Sequence, residues 1–126
     1  MPIFWAQPQT VQVYCLLHSK IQYEEALEII RDLAKKNPDV YLPYVATTLN
    51  NLGVLSRDNN EMEQAKIQYE EALEIRRGLS KKNPYVYLPD VAMTLSNLGN
   101  LSRTNNEMKR AKIEYEEAVE LRRGIS

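Results

Sequence analysis

The chain is poor in the residues that most often carry chemistry. It has one cysteine, Cys15, and one histidine, His18. A lone cysteine excludes an internal disulfide and fits a reducing compartment. Cys15 and His18 are three apart, a spacing that sets both on one helix face. No third ligand or orienting partner repeats with them, so a small buried thiol beside a surface imidazole explains the pair better than a nucleophile or a metal site. The four glycines form no phosphate-cradling loop. Neither sign of charge prevails: 16 basic and 17 acidic residues leave a formal net charge of −1. That is not the basic surface that binding to phosphate backbones requires. No apolar run approaches the length of a membrane span. The opening MPIFWAQPQT carries no Lys or Arg, and Gln7, Pro8 and Gln9 interrupt its apolar residues, so it does not read as a secretory signal. Together these absences predict a cytoplasmic chain without cofactor, metal, nucleic-acid or membrane partner, and without enzymatic activity.

What is present is repetition. IQYEEALEI begins at Ile21 and again at Ile67, and IEYEEAVEL begins at Ile113, a constant period of 46 residues. Residues 21–66 and 67–112 are identical at 35 of 46 positions. A fixed period of this size marks a solenoid, in which each unit packs only on its neighbours. Within a unit, Pro43 suits the first turn of a helix, and Val45, Leu49, Leu52 and Ser56 then form one inward stripe. Asp58, Asn59 and Asn60 predict a tight turn. A second helix begins near Glu61, with Met62, Ala65, Tyr69, Ala72 and Leu73 as its buried stripe. Ile67, Ile75 and Leu79 make a second apolar edge, so this helix faces two partners. Its acids lie towards the N-terminal end and its bases, Arg76, Arg77, Lys81 and Lys82, at the C-terminal end, which complements the helix dipole. Glu74 with Arg77, and Glu120 with Arg123, have the three-residue spacing of ion pairs. Asn83–Pro84 predicts a stop, and NPxVYLP reads as a connector.

The same reading gives Pro89–Arg103 and Glu107–Gly124 as the next pair and Leu16–Lys36 as an upstream second helix. Met1–Thr10 matches nothing later, and Pro8 argues against a regular helix there. The expected organisation is an atypical apolar segment over residues 1–14 and an array over 15–126, divided into a half unit at 15–40 and full units at 41–86 and 87–126. The fold class is all-α, an α-solenoid of antiparallel helix pairs.

Leu49, Leu52, Gly53, Ala65, Tyr69 and Ala72 recur as Leu95, Leu98, Gly99, Ala111, Tyr115 and Ala118. This pattern resembles the tetratricopeptide repeat, a helix–turn–helix unit that stacks into a right-handed superhelix. TLNNLG and the long second helix are most similar to the extended subtype in kinesin light chains. There are departures. The ordinary unit has about 34 residues, and the surplus falls in the tail of the second helix and the NPxVYLP connector. Ser56 and Ser102 stand where a bulky aromatic is usual.

The pairs Thr47/Met93, Asn50/Ser96, Val54/Asn100 and Asp58/Thr104 differ between units and step by three or four, so they form one stripe on the first helix. The resemblance implies that this face lines a concave groove where a peptide lies. Asn50, Asn51, Asn97 and Asn100 offer amide donors and acceptors to a peptide backbone. Val54 and Ser96 lie in the same stripe, and Arg57 and Arg103 at its end suit a bidentate clamp on a carboxylate or phosphate. The competing account is a solvated face free to drift, with arginines that only complement the helix end. The paired glutamates at 24–25, 70–71 and 116–117 repeat with the scaffold and read as a solvated face. Tyr41, Tyr87, Leu42 and Leu88 read as packing over helix ends. Phe4, Trp5, Val11, Val13, Leu16 and Leu17 make the front end apolar and predict a homo-oligomer, a dimer with exchanged helices included. The expected function is a scaffold for a protein or peptide partner; the alternative is a self-assembling module with no external ligand.

Overall fold

The computed structural model describes the backbone of residues 8–125 and the side chains of residues 18–124. Five helices follow one another: α1 (Pro8–Lys36), α2 (Pro38–Asp58), α3 (Met62–Lys82), α4 (Pro84–Thr104) and α5 (Met108–Ile125). There is no strand among the described residues.

Two kinds of joint connect them, and each follows from local sequence. Only Asn37 separates α1 from α2, and only Asn83 separates α3 from α4. The Asn37 N–H closes α1 on the Leu33 carbonyl at 3.0 Å, while its own carbonyl accepts the Tyr41 N–H at 3.2 Å. The residue before proline is driven out of the helical region, and Asn37 and Asn83 take φ −144° and −143°. Proline then enters at the first helical position, where its missing N–H is no loss. The other joint runs through Asn60 and Asn106, at φ 65° and 62°. The Glu61 N–H reaches the Ser56 carbonyl at 2.8 Å and the Asn60 N–H reaches that of Arg57 at 3.0 Å, the Schellman pattern with asparagine in the left-handed place. Asn106 and Glu107 repeat it.

The NPxVYLP segment is not a connector. α2 and α4 begin at Pro38 and Pro84, so Pro43 and Pro89 lie inside them. The lost backbone bond at Pro43 is set against packing: Tyr41 and Leu42 lie on the cluster of Ala34, Val45, Leu49 and Ala72. Much of the surplus over an ordinary unit therefore lengthens the first helix. α1 likewise starts at Pro8, earlier than the expected Leu16, with proline again at an initiating position.

Each helix packs on the one before and the one after it. α2 and α4 form one layer; α1, α3 and α5 form the other. The second layer is tied laterally by ion pairs. Arg31 grips Glu71 at 2.5 and 3.0 Å, and one unit later Arg77 grips Glu117 at 2.7 and 3.2 Å. Arg110 adds Glu70 at 2.7 Å. Arg77 thus reaches across to the next unit rather than to Glu74, and the paired glutamates are partly used as lateral ties. Hydrogen bonding to Glu71 raises the Arg31 guanidinium above its ordinary value. These pairs are about half exposed, so each adds only about 0–1 kcal/mol.

Between the layers, Tyr69 is fully enclosed against Ala65, Leu98 and Leu101. Its ring lies on Gly53: a Cβ there would come 2.5 Å from Tyr69 Cε1. Gly99 holds the same relation to Tyr115 at 2.8 Å. Ser56 Oγ donates to Gln68 Oε1 at 2.7 Å, and Ser102 Oγ to Glu114 Oε1 at 2.7 Å. A polar pair therefore stands where the resemblance leads one to expect an aromatic.

Candidate interaction face

α2 and α4 lie side by side, and two of the stations expected to line a groove, Asn50 and Asn97, meet there. Asn97 Nδ2 donates to Asn50 Oδ1 at 3.1 Å, joining the two helices. Asn50 is buried, so its amide is largely consumed within the fold. The Asn97 side-chain carbonyl makes no hydrogen bond among the described residues. Asn100 Oδ1 accepts the Tyr115 hydroxyl, which leaves the Asn100 amide N–H groups. Val54 packs partly against the Tyr69 cluster. Ser96 is half-buried. Arg57 is half-buried and paired with Asp58 at 3.1 Å. Arg103 is exposed and, among the described residues, makes no ion pair. Asn51 is half-buried, with no side-chain hydrogen bond among the described residues.

A residue assigned only to the helix dipole proves central to this face. Arg76 on α3 is 5 % exposed and rises between α2 and α4. It donates to Thr94 Oγ1 at 2.7 Å, to the Asp90 carbonyl at 3.4 Å and to Thr47 Oγ1 at 3.5 Å. Burial pushes its guanidinium below the ordinary value, and the nearby Asp90 charge partly opposes this. The signal in the sequence was a paired change: Ile30 and Tyr44 in one unit become Arg76 and Asp90 in the next.

Tyr69 differs from Tyr115, which is partly open and hydrogen-bonded to Asn100. The Tyr69 hydroxyl is buried and has no hydrogen-bond partner among the described residues. Burial pushes the Tyr69 phenol above its usual value, with smaller effects from Arg57, which lowers it, and Asp58, which raises it.

Phe4 and Trp5, expected at a self-association surface, lie outside the described residues. Val11, Val13, Leu16 and Leu17 belong to α1, but their side chains, like that of Cys15, lie outside the described set. His18 is exposed, with Nε2 3.2 Å from Gln22 Nε2. Among the described residues no group of three or more His, Cys, Asp or Glu side chains is placed to hold a metal ion. Nor is any helix among them long and apolar enough to cross a membrane.

No curated protein matches the chain significantly. A protein-family model described as "Tetratricopeptide repeat" matches residues 45–84 and 91–125. Each match takes in most of one first helix and its following second helix, the pairs α2–α3 and α4–α5. The stacked helix pairs, the glycine–tyrosine contact within each and this match over more than half of the sequence agree: the chain belongs to the tetratricopeptide repeat family.

Proposed function

We propose that the array is a protein-interaction scaffold that holds an extended peptide or protein segment across the α2–α4 face. Repeats of this family generally mediate protein–protein interaction. The carrying observation is the set of polar groups left uncommitted on that face: the Asn51 amide, the Asn97 carbonyl, the Asn100 N–H groups and the Arg103 guanidinium. An amide supplies both a donor and an acceptor, which matches a peptide unit, and a guanidinium matches a carboxylate. Val54, Ser96, Arg57 and Asn50 flank these groups and shape the surface. The domain division at residues 15, 41 and 87, with an atypical segment at 1–14, belongs to the same reading, as do a cytoplasmic location and a non-catalytic role.

The test is selection of extended peptides from a random display library against the whole chain, followed by measurement on Asn51→Ala/Arg103→Ala. Neither side chain supports the fold, so helicity and melting should be unchanged while selected peptides bind at least about tenfold more weakly, as loss of a charge-assisted pair predicts. Undiminished binding would remove the α2–α4 face from consideration.

Self-association is the second reading, and one observation favours it. On α1, Ile29 is 61 % and Leu33 39 % exposed, whereas their counterparts on α3, Ile75 and Leu79, are half-buried. Sedimentation at micromolar concentration tests it; a species at the 14.6 kDa mass of one chain would dispose of it.

A further inference from the structure

The turns that lead from α2 to α3 and from α4 to α5 are spelled almost alike. Ser56–Glu61 reads SRDNNE and Ser102–Glu107 reads SRTNNE, so the one difference is Asp58 against Thr104. The backbone is the same at both. Asn60 and Asn106 take φ 65° and 62°, and their N–H groups meet the Arg57 and Arg103 carbonyls at 3.0 and 3.1 Å. What changes is the state of the arginine. Asp58 Oδ1 accepts from Arg57 Nε at 3.3 Å and from Nη2 at 3.1 Å. Thr104 has no charge to offer: its hydroxyl turns back to the Asn100 carbonyl at 3.0 Å. Arg103 is left without an ion pair among the described residues. Arg103, Thr104, Asn105 and Asn106 are exposed in succession where α4 ends.

We propose that Thr104 is a phosphorylation site, and that its phosphate takes the place Asp58 holds one unit earlier and clamps Arg103. The guanidinium is thereby withdrawn from the α2–α4 face and peptide binding is turned down, a consequence that rests on the groove reading above. In the step, Thr104 Oγ1 attacks the terminal phosphorus of a nucleoside triphosphate. The bond from that phosphorus to the bridging oxygen breaks, the nucleoside diphosphate leaves with the electron pair, and the hydroxyl proton passes to a base of the kinase. The nearest acid, Glu107, stands three residues after Thr104, and Leu101 rather than a base stands three before it. The segment therefore suits a serine/threonine kinase that reads a downstream acid. The terminal phosphate oxygens lie one bond further from Cβ than the carboxylate oxygens of Asp58 and carry a charge of about −1.5 to −2 at neutral pH. They accept a guanidinium in bidentate fashion. Negative charge at a helix C-terminus opposes the dipole, yet α2 carries Asp58 at this place and ends in the same turn. The hydroxyl bond to Asn100 that the modification removes is exposed, so water replaces it.

The whole 126-residue chain is incubated with an acid-directed serine/threonine kinase and a nucleoside triphosphate, and the product is mapped by mass spectrometry. A phosphate should appear at Thr104, and that site should be lost in Thr104→Val. Phosphorus NMR then reads the pairing. The second phosphate pKa, ordinarily about 6, should lie lower in the phosphorylated chain than in the same chain with Arg103→Gln, because the guanidinium favours the dianion. Other charges are common to both chains, so the difference belongs to Arg103. Thr104→Asp, which rewrites the turn as SRDNNE, should leave helicity and melting unchanged. Peptides selected for the α2–α4 face should bind the phosphorylated chain at least about tenfold more weakly, and Thr104→Val as tightly as the parent. No phosphate at Thr104, or the same phosphate titration with and without Arg103, overturns the inference. So does a loss of helicity in Thr104→Asp, which would mean that this helix end rejects negative charge. Undiminished binding to the phosphorylated chain, by peptides that Arg103→Gln weakens, overturns the regulatory step. If Arg103→Gln weakens none of them, the groove reading fails on its own, and the titration alone decides on the clamp.

Discussion

Tyr115 donates its hydroxyl to Asn100, while Tyr69, at the same station one unit earlier, has Val54 in place of that asparagine and a buried hydroxyl with no partner among the described residues. One substitution between near-copies thus separates a satisfied phenol from an orphaned one. A net hydrogen bond is worth about 1 kcal/mol, and an unsatisfied buried group costs about 1–3 kcal/mol. Tyr115→Phe should therefore destabilise by about 1 kcal/mol, and Tyr69→Phe should be neutral or stabilising by up to about 1 kcal/mol. In a Val54→Asn background the second change should become costly. Urea melts of the parent, Tyr69→Phe, Val54→Asn and their double variant make a double-mutant cycle, with Tyr115→Phe beside it; equal costs at both tyrosines would contradict the assignment.

The close contact at Gly53 predicts a different asymmetry. An alanine Cβ would meet Tyr69 Cε1 at 2.5 Å, and at Gly99 it would meet Tyr115 Cε1 at 2.8 Å. Overpacking costs about 1–3 kcal/mol, while alanine in a helix regains about 1 kcal/mol relative to glycine. Tyr69 is fully enclosed and has nowhere to move, whereas Tyr115 is partly open. Gly53→Ala should thus lower the melting temperature more than Gly99→Ala does. The reverse order in calorimetry would argue against the seam as described.

Arg76 offers a test in which the chain supplies its own control. The preceding unit places Ile30 at that station. Removing a buried charge in favour of a well-packed aliphatic side chain is often neutral or stabilising by about 1–4 kcal/mol. Arg76→Ile should accordingly hold or raise stability, while Arg76→Ala should lower it by about 2–3 kcal/mol through the cavity left behind. Thermal melts of both variants decide the matter; a large loss in Arg76→Ile would show that the bonds to Thr47 and Thr94 outweigh the desolvation cost.

The buried phenol also sets a pH dependence. Burial raises the Tyr69 pKa above its value in an unfolded chain. The folded state then binds that proton more tightly, so the associated stability is complete below the ordinary tyrosine range, about pH 10. It is lost as pH rises through the folded value. Between neutral pH and pH 11 the melting temperature of the parent chain should fall more steeply than that of Tyr69→Phe. Parallel curves would mean that Tyr69 does not titrate as its burial implies.

Much of this architecture can be read from the chain because it is periodic. Asn60 and Asn106 announce the left-handed turn, since few other residues take positive φ without strain. The small residues Gly53, Ala65 and Ala72 announce close helix approach. Pro43 was misleading for a physical reason. A proline at the start of a stripe reads as a first turn, yet the helix begins five residues earlier, because packing of Tyr41 and Leu42 outweighs one lost backbone bond. The face between α2 and α4 was harder to read. Composition could not reveal that Asn50 and Asn97 satisfy each other, or that Arg76 turns inward, because both depend on the lateral spacing of helices that are far apart in sequence.

The helix-by-helix packing has a mechanical corollary. Because the main interfaces join helices adjacent along the chain, the mean sequence separation of contacts is small, and such chains fold quickly. The array should also peel from its extremities one helix at a time, with α3, flanked on both sides, the last to lose its protection against hydrogen exchange.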